Sequence, residues 1–272
     1  MSVPNKRSIM NPPLHYIGVD MADQTFTTTH YTATDKKYSK HQTLANAPAG
    51  FDEFEAWFKK RGADPDNTVI CMEATGVYAE QLCYWLCAKG YRVSVEAPHK
   101  TKRAFHPLGA KSDPIDSRQL AEYAWRFFDQ LSFWKPSEEM IEQVRVLLTT
   151  REQLTGQMTA NQNALSAITR KVVRAILAEQ SFLDTIRHLK EHIKKIDNAL
   201  NHLTSNHPTI GPMIALVVTV PGVGRLLASH LMVLSEGFTQ PLEPRRIAAY
   251  LGMCPLEYSS GTSVHRNASS RR

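Results

Sequence analysis

The sequence predicts an α/β mixed-sheet domain over residues 1–130, a helical coiled-coil region over 131–207 and a small, mainly helical domain over 208–272. Three observations carry this. Short runs rich in Ile, Val, Thr and Tyr alternate with helix-period segments in the first part. A three-four repeat of apolar residues takes over in the second. Proline and glycine punctuate the third, beginning at Pro208 and Gly211.

Taken in order, His15 to Asp20 reads as a buried strand ending in a carboxylate, and Thr25 to Thr32 and Tyr38 to Leu44 as two further strands of a meander. Asn46 is expected to cap a helix that places Phe51, Phe54, Trp57 and Phe58 on one face and stops at Gly62. Thr68 to Met72 is a short apolar strand followed by Glu73. A helix from Tyr78 to Lys89 ends at Gly90, Arg92 to Val95 forms another strand, and a helix from Pro114 to Phe127 closes the domain. Three strands, helix, strand, helix, strand, helix is the order of a mixed sheet with helices on its faces.

Beyond it, Val144, Leu147, Arg151, Leu154, Met158, Asn161, Leu165, Ile168 and Val172 form one seam, interrupted by Arg151 and Asn161. After a break near Glu179-Gln180-Ser181, Phe182, Ile186, Leu189, Ile193, Ile196, Leu200 and Leu203 form a second. Together the seams read as a helical hairpin or paired helices; the one from Val144 to Val172 is too long and apolar to be left in water and is expected to bury against another helix, across a subunit interface. Arg145, Arg170, Lys171, Arg174, Lys190, Lys194 and Lys195 lie along them; such cations either solubilise helix faces or meet nucleic acid. In the last region Ile214 to Val220 leads into Pro221-Gly222-Val223-Gly224, then a helix to Ser235, another from Pro244 to Leu251, and a polar loop from Tyr258 to Ser263.

Composition narrows the partners. A formal net charge of +6 and a pI near 9.1 lean toward a polyanion. No apolar run is long enough to span a membrane, and the polar N-terminus Met1-Ser2-Val3-Pro4-Asn5-Lys6-Arg7 lacks a signal-peptide core, so a cytoplasmic protein is expected. Of the cysteines at 71, 83, 87 and 254, only Cys83 and Cys87 are one helical turn apart, and no second pair completes a zinc site.

The chemistry is carried by acids. Asp20 and Glu73 end strands, and Asp113 and Asp116 open a helix three residues apart, so they share a face. Together, Asp20, Glu73, Asp113 and Asp116 would hold two Mg²⁺ or Mn²⁺ ions, because hard cations take oxygen ligands. Two such ions roughly 4 Å apart stabilise the attacking and leaving oxygens of a phosphate displacement. Plainer uses exist: Asp20 could end a strand in any α/β protein, Asp113 before Pro114 suits a helix start, and Asp116 complements the helix dipole. Lys100, Lys102, Arg103 and Lys111 cluster between the last strand and Asp113, where phosphate contacts give affinity and register rather than sequence reading.

Tyr16-Ile17-Gly18-Val19-Asp20, Met72-Glu73-Ala74-Thr75-Gly76 and Lys111-Ser112-Asp113-Pro114-Ile115-Asp116-Ser117 resemble the RuvC-like, RNase H-like domain of the DEDD transposases of insertion sequences. That family comprises the bridge-RNA-guided recombinases and includes the Piv-type DNA invertases. Pro221-Gly222-Val223-Gly224, Ala248-Ala249-Tyr250-Leu251-Gly252-Met253-Cys254-Pro255 and Ser260-Gly261 are similar to its second, transposase domain. The resemblance implies a metal site from the four acids and a nucleophile at Ser260, with strand exchange through a covalent serine–phosphate intermediate on double-stranded DNA. It also implies a structured guide (bridge) RNA and dimers that pair into tetramers. The family continues beyond the serine through a Lys-x-Gly-Asn segment, whereas this chain ends at Ser269-Ser270-Arg271-Arg272, so a C-terminally truncated domain is expected.

Three other readings compete. A metal-dependent nuclease of junction-resolvase type would use the acids without a covalent step. A non-catalytic nucleic-acid scaffold would bind without metal. A sugar-kinase or actin-like ATPase shares the Ile17-Gly18-Val19-Asp20 strand, but no second phosphate loop of that type follows.

Overall fold

The computed structural model describes residues 12–74, 76–105, 113–250, 255–260 and 264–269, the last two stretches by their backbone. The chain divides into two units, Met1–Pro136 and Ser137–Arg272.

In the first unit, β1 (His15–Met21), β2 (Thr25–Thr32), β3 (Lys37–Tyr38), β4 (Gln42–Ala45), β5 (Thr68–Glu73) and β6 (Arg92–Glu96) make one sheet in the order β3-β2-β1-β5-β6, with β4 also on β2. β1 runs antiparallel to β2 and parallel to β5, which is parallel to β6. The sheet is mixed, as expected. Helices α1 (Pro48–Lys59) and α2 (Glu80–Ala88) cover one face. There Ile17, Val19, Ile70, Met72 and Val93 pack with Phe54, Phe58, Leu82 and Leu86. Burying each of Phe26, Phe54 and Phe58, all under 2% exposed, is worth about 2–3 kcal/mol. The short helix α3 (Pro98–Ala104) follows β6, and α4 (Asp113–Arg126) lies over the other face, where Leu120, Ala121, Tyr123 and Ala124 meet Tyr16, Val69 and Cys71. With both faces covered, β1 and β5 are apolar on both sides.

Several local expectations change. The third strand splits into β3 and β4 around Ser39-Lys40-His41. Asn46 does not cap α1, whose N-cap is Ala47 with no side-chain cap bond. The Asn46 amide instead donates to the carbonyls of Ala22, Asp23 and Tyr78, tying three loops together. The basic stretch after β6 forms α3, opened by Pro98 at its first turn. Gly90 has φ +86° after α2, the left-handed geometry that glycine tolerates at a helix end.

The second unit opens with α5 (Glu139–Thr169) and α6 (Ile176–Asn206), which pack against each other within the chain. The break falls at residues 170–175 rather than at 179–181, and Val172, expected in the seam, lies past the end of α5 and is fully exposed. The seam of α5 is half-buried on α6, and Arg151, a polar interruption in it, donates to Asp197 at 2.6 Å. α7 (Ile210–Val218) and α8 (Arg225–Leu234) close a core of Ile141, Val144, Leu148, Leu200, Ile210, Ile214 and Met232. α9 (Pro244–Tyr250) follows. The segment expected as a polar loop is partly strand: β7 (Pro255–Ser260) pairs antiparallel with β8 (Val264–Ser269), with Ser260 opposite Val264. Among the described residues, no helix is long and apolar enough to cross a membrane.

Candidate active site

Pairing register decides where the acids stand. β1 and β5 run in parallel with Val19 opposite Met72, so Asp20 and Glu73 come next along neighbouring strands at the same end of the sheet. Side chains alternate faces along a strand. Tyr16, Val69 and Cys71 face α4, so Asp20 and Glu73 face the same side. Both are half-buried.

The second pair of acids arrives by a close approach of helix to strand. α4 begins at Asp113, with Asp113 and Asp116 both in its first turn, Asp113 exposed and Asp116 half-buried. At Gly18 a Cβ would stand 1.9 Å from the Ser117 carbonyl oxygen and 2.3 Å from the Ala121 nitrogen. Glycine is therefore required for α4 to lie directly on β1, two residues before Asp20. The same point is pinned by a 2.8 Å hydrogen bond between the hydroxyls of Thr29 and Ser117, both buried. Among the described residues, however, no three His, Cys, Asp or Glu side chains are drawn together closely enough to hold one metal ion. The fold thus sets Asp20 and Glu73 on one face and starts α4 on that face. The donors are all hard oxygen, which suits Mg²⁺ or Mn²⁺ rather than a soft metal.

One acid in this neighbourhood escapes sequence reasoning. Glu96 ends β6 opposite Glu73, on the same face, and is only 2% exposed. It accepts the Ser94 hydroxyl at 2.7 Å and the Lys100 ammonium at 3.1 Å. Lys100, Lys102 and Arg103 are exposed on α3, with Lys100 anchored through Glu96. Only the register of β5 with β6 shows Glu96 beside Glu73; an acid–lysine spacing of four across a strand end was the sole sequence signal. Lys111 lies outside the described residues, and for Ser260 the backbone alone is described.

The described cysteines play no part in this edge. Cys71 and Cys83 are buried and Cys87 half-buried, all as free thiols. Burial pushes the Cys83 thiol up to about 12 and that of Cys71 higher still, leaving them protonated and inert.

An α/β sheet with acids at strand ends and a basic helix beside them suits work on a polyanion. Comparison with known proteins defines the class. A DEDD-type IS110 transposase model matches residues 17–173, and a second, described as the transposase IS116/IS110/IS902 family, matches 214–272. The chain is an enzyme of DNA recombination, of the transposase class. It belongs to the DEDD-type IS110 transposase family. It is 27% identical over 256 residues to a pilin gene-inverting protein of Moraxella lacunata, and 26% identical over 261 residues to that of Moraxella bovis. Each match covers 93% of this chain and 76% of the relative. Among solved structures it is similar to T. thermophilus RuvC in complex with a Holliday junction substrate, with TM-score 0.34 and 10% identity over 44% of this chain and 99% of that one.

Proposed function

We propose that the chain is an RNA-guided recombinase of an insertion sequence. Its first unit is an RNase H-like domain that holds divalent metal through Asp20, Glu73, Asp113 and Asp116, and Ser260 is its nucleophile. The observation that carries the reading is the approach of α4 to β1 at Gly18, which starts the Asp113–Asp116 turn on the face that bears Asp20 and Glu73. When bound, two Mg²⁺ or Mn²⁺ ions would offset the charge that builds on a phosphate under attack.

The remaining work falls to the chain. The cations of Lys100, Lys102, Arg103 and Lys111 grip phosphates beside the acids without reading bases. The Ser260 Oγ bonds to phosphorus as the bond from phosphorus to a bridging deoxyribose oxygen breaks. The hydroxyl proton passes to solvent, and the departing oxygen takes up a proton. One DNA end is then joined to the protein, and attack by the hydroxyl of the new partner strand restores a phosphodiester and frees the serine. Sequence choice is left to base pairing with a guide RNA, which suits a protein whose visible cations are phosphate binders. Pairing of subunits into dimers and tetramers would bring one copy's acids to another copy's serine.

The test is denaturing electrophoresis of end-labelled DNA incubated with the chain and Mg²⁺. A protein–DNA adduct is expected from the wild-type chain and from Ser259→Ala and Ser263→Ala, and none from Ser260→Ala. An adduct surviving in Ser260→Ala moves the nucleophile elsewhere; metal-dependent cleavage with free ends only would make the chain a nuclease of resolvase type.

A further inference from the structure

A cleft of roughly 480 Å³ opens between α4 and the strands β2 and β3. Its walls are Tyr38 to His41 between β3 and β4, Phe105 after α3, and Ile115, Arg118 and Glu122 on α4. The volume suits a ligand of nucleotide size. Its chemistry is that of a base and a phosphate together. The Arg118 guanidinium lies 4.2 Å from the centroid of the Tyr38 ring, and Tyr31 backs that ring at 4.7 Å. Glu122 is already ion-paired to Arg126, whereas Lys40 and Arg118 make no ion pair among the described residues. The cleft therefore carries a net positive charge at two exposed side chains. Burial and neighbouring Glu122 push the Tyr38 phenol up to about 12, so the ring adds no negative charge to repel a phosphate.

We propose that this cleft seats an unpaired nucleotide of the DNA strand on which the recombinase acts, its base stacked on the Tyr38–Arg118 pair and Phe105, its phosphate held by Lys40 and Arg118. Stacking on aromatic and guanidinium planes tolerates any base, and flanking cations track the backbone. The occupant is DNA because the cleft adjoins the turn that carries two of the acids: Pro114 and Ile115, which line it, stand between Asp113 and Asp116. A strand displaced from its complement at that turn has its next bases within reach. This inference rests on the recombinase reading for the identity of the strand, but not on metal or on Ser260.

The experiment follows binding of the full chain in EDTA to a fluorescein-labelled single-stranded 12-mer DNA carrying a central 2-aminopurine, to its duplex and to an RNA of the same sequence. Circular dichroism confirms that the variants fold, which exposure of both side chains favours. The single strand is expected to bind at least fivefold more tightly than the duplex, with 2-aminopurine fluorescence quenched on binding. Arg118→Lys keeps the charge and loses the planar stack, so it should bind the single strand while losing most of the quenching. Lys40→Ala should weaken single-strand binding at least threefold and flatten the slope of log affinity against log salt by about 0.7. Unchanged quenching in Arg118→Lys, equal losses on single strand and duplex, or tighter binding of the RNA overturns the cleft as a DNA site while leaving the recombinase reading intact. A wild-type chain that binds none of the probes overturns both.

Discussion

Gly18→Ala asks one methyl group to separate fold from site. The added Cβ would meet the Ser117 carbonyl at 1.9 Å, roughly 1.5 Å inside ordinary van der Waals contact, and the Ala121 nitrogen at 2.3 Å. Both obstacles are helix backbone, which cannot rotate aside, so α4 must retreat as a body or β1 must bow. Overpacking of a tight core contact costs about 1–3 kcal/mol. That is a loss the first unit can survive, because the large aromatic cluster lies on the opposite face of the sheet. The larger effect is on chemistry. A retreat of the first turn of α4 moves Asp113 and Asp116 away from Asp20 and Glu73, and a misplacement of about 1 Å can cost on the order of 100-fold in rate. Urea unfolding followed by circular dichroism gives the stability, and Mg²⁺-dependent processing of labelled DNA gives the activity. A modest loss of stability with a loss of activity of about two orders of magnitude is expected. Gly18→Ala with wild-type stability and activity would refute the reasoning that the glycine is there to dock α4 and its acids.

Other consequences follow from the same structure. Phe54, fully buried among Phe26, Phe51 and Phe58, should cost about 3–5 kcal/mol on replacement by Ala, read as a lower urea midpoint. The His15 Nδ1 and His30 Nε2 lie 2.9 Å apart, and burial, then the neighbouring His15 and Arg61, holds His30 down to about 4 from 6.5, with burial also lowering His15. Because the unfolded chain takes up these protons first, this stability is complete above pH 6.5 and lost as pH falls from there toward 4, by roughly 3 kcal/mol for His30; urea midpoints that do not fall across that window would contradict it. Glu96→Gln keeps the shape of the buried group but releases the Lys100 ammonium, so it should weaken DNA binding at low salt and be non-additive with Lys100→Ala in a double-mutant cycle. Fully additive effects would limit Glu96 to a packing role.

Much of this was legible in the sequence, and the misses have physical causes. The strands ending in Asp20 and Glu73 stood out because central strands covered on both faces are continuously apolar. Gly18 gave no sign of its purpose, since the helix that needs it arrives about a hundred residues later in the chain. Glu96 was invisible for the same reason, as its neighbour Glu73 is set by strand register. The end of α5 was misplaced because Arg170-Lys171-Val172-Val173-Arg174-Ala175 contains neither Gly nor Pro and Val172 continues the three-four pattern, although the helix has already ended. Asn46 carries a strong capping propensity, but tertiary carbonyls from two other loops outcompete the helix for its amide. The run Tyr258-Ser259-Ser260 looked like a polar loop by composition, yet its backbone pairs with residues 264–266 as a strand.

Whether Asp20, Glu73, Asp113 and Asp116 act as one divalent-metal site is tested most directly, and without relying on activity, by Mn²⁺ titration followed by calorimetry. The wild-type chain is expected to take up about two Mn²⁺ ions, with Asp20→Ala and Asp116→Ala each losing at least one while keeping the wild-type circular dichroism spectrum. Wild-type binding of Mn²⁺ in both folded variants would contradict the account.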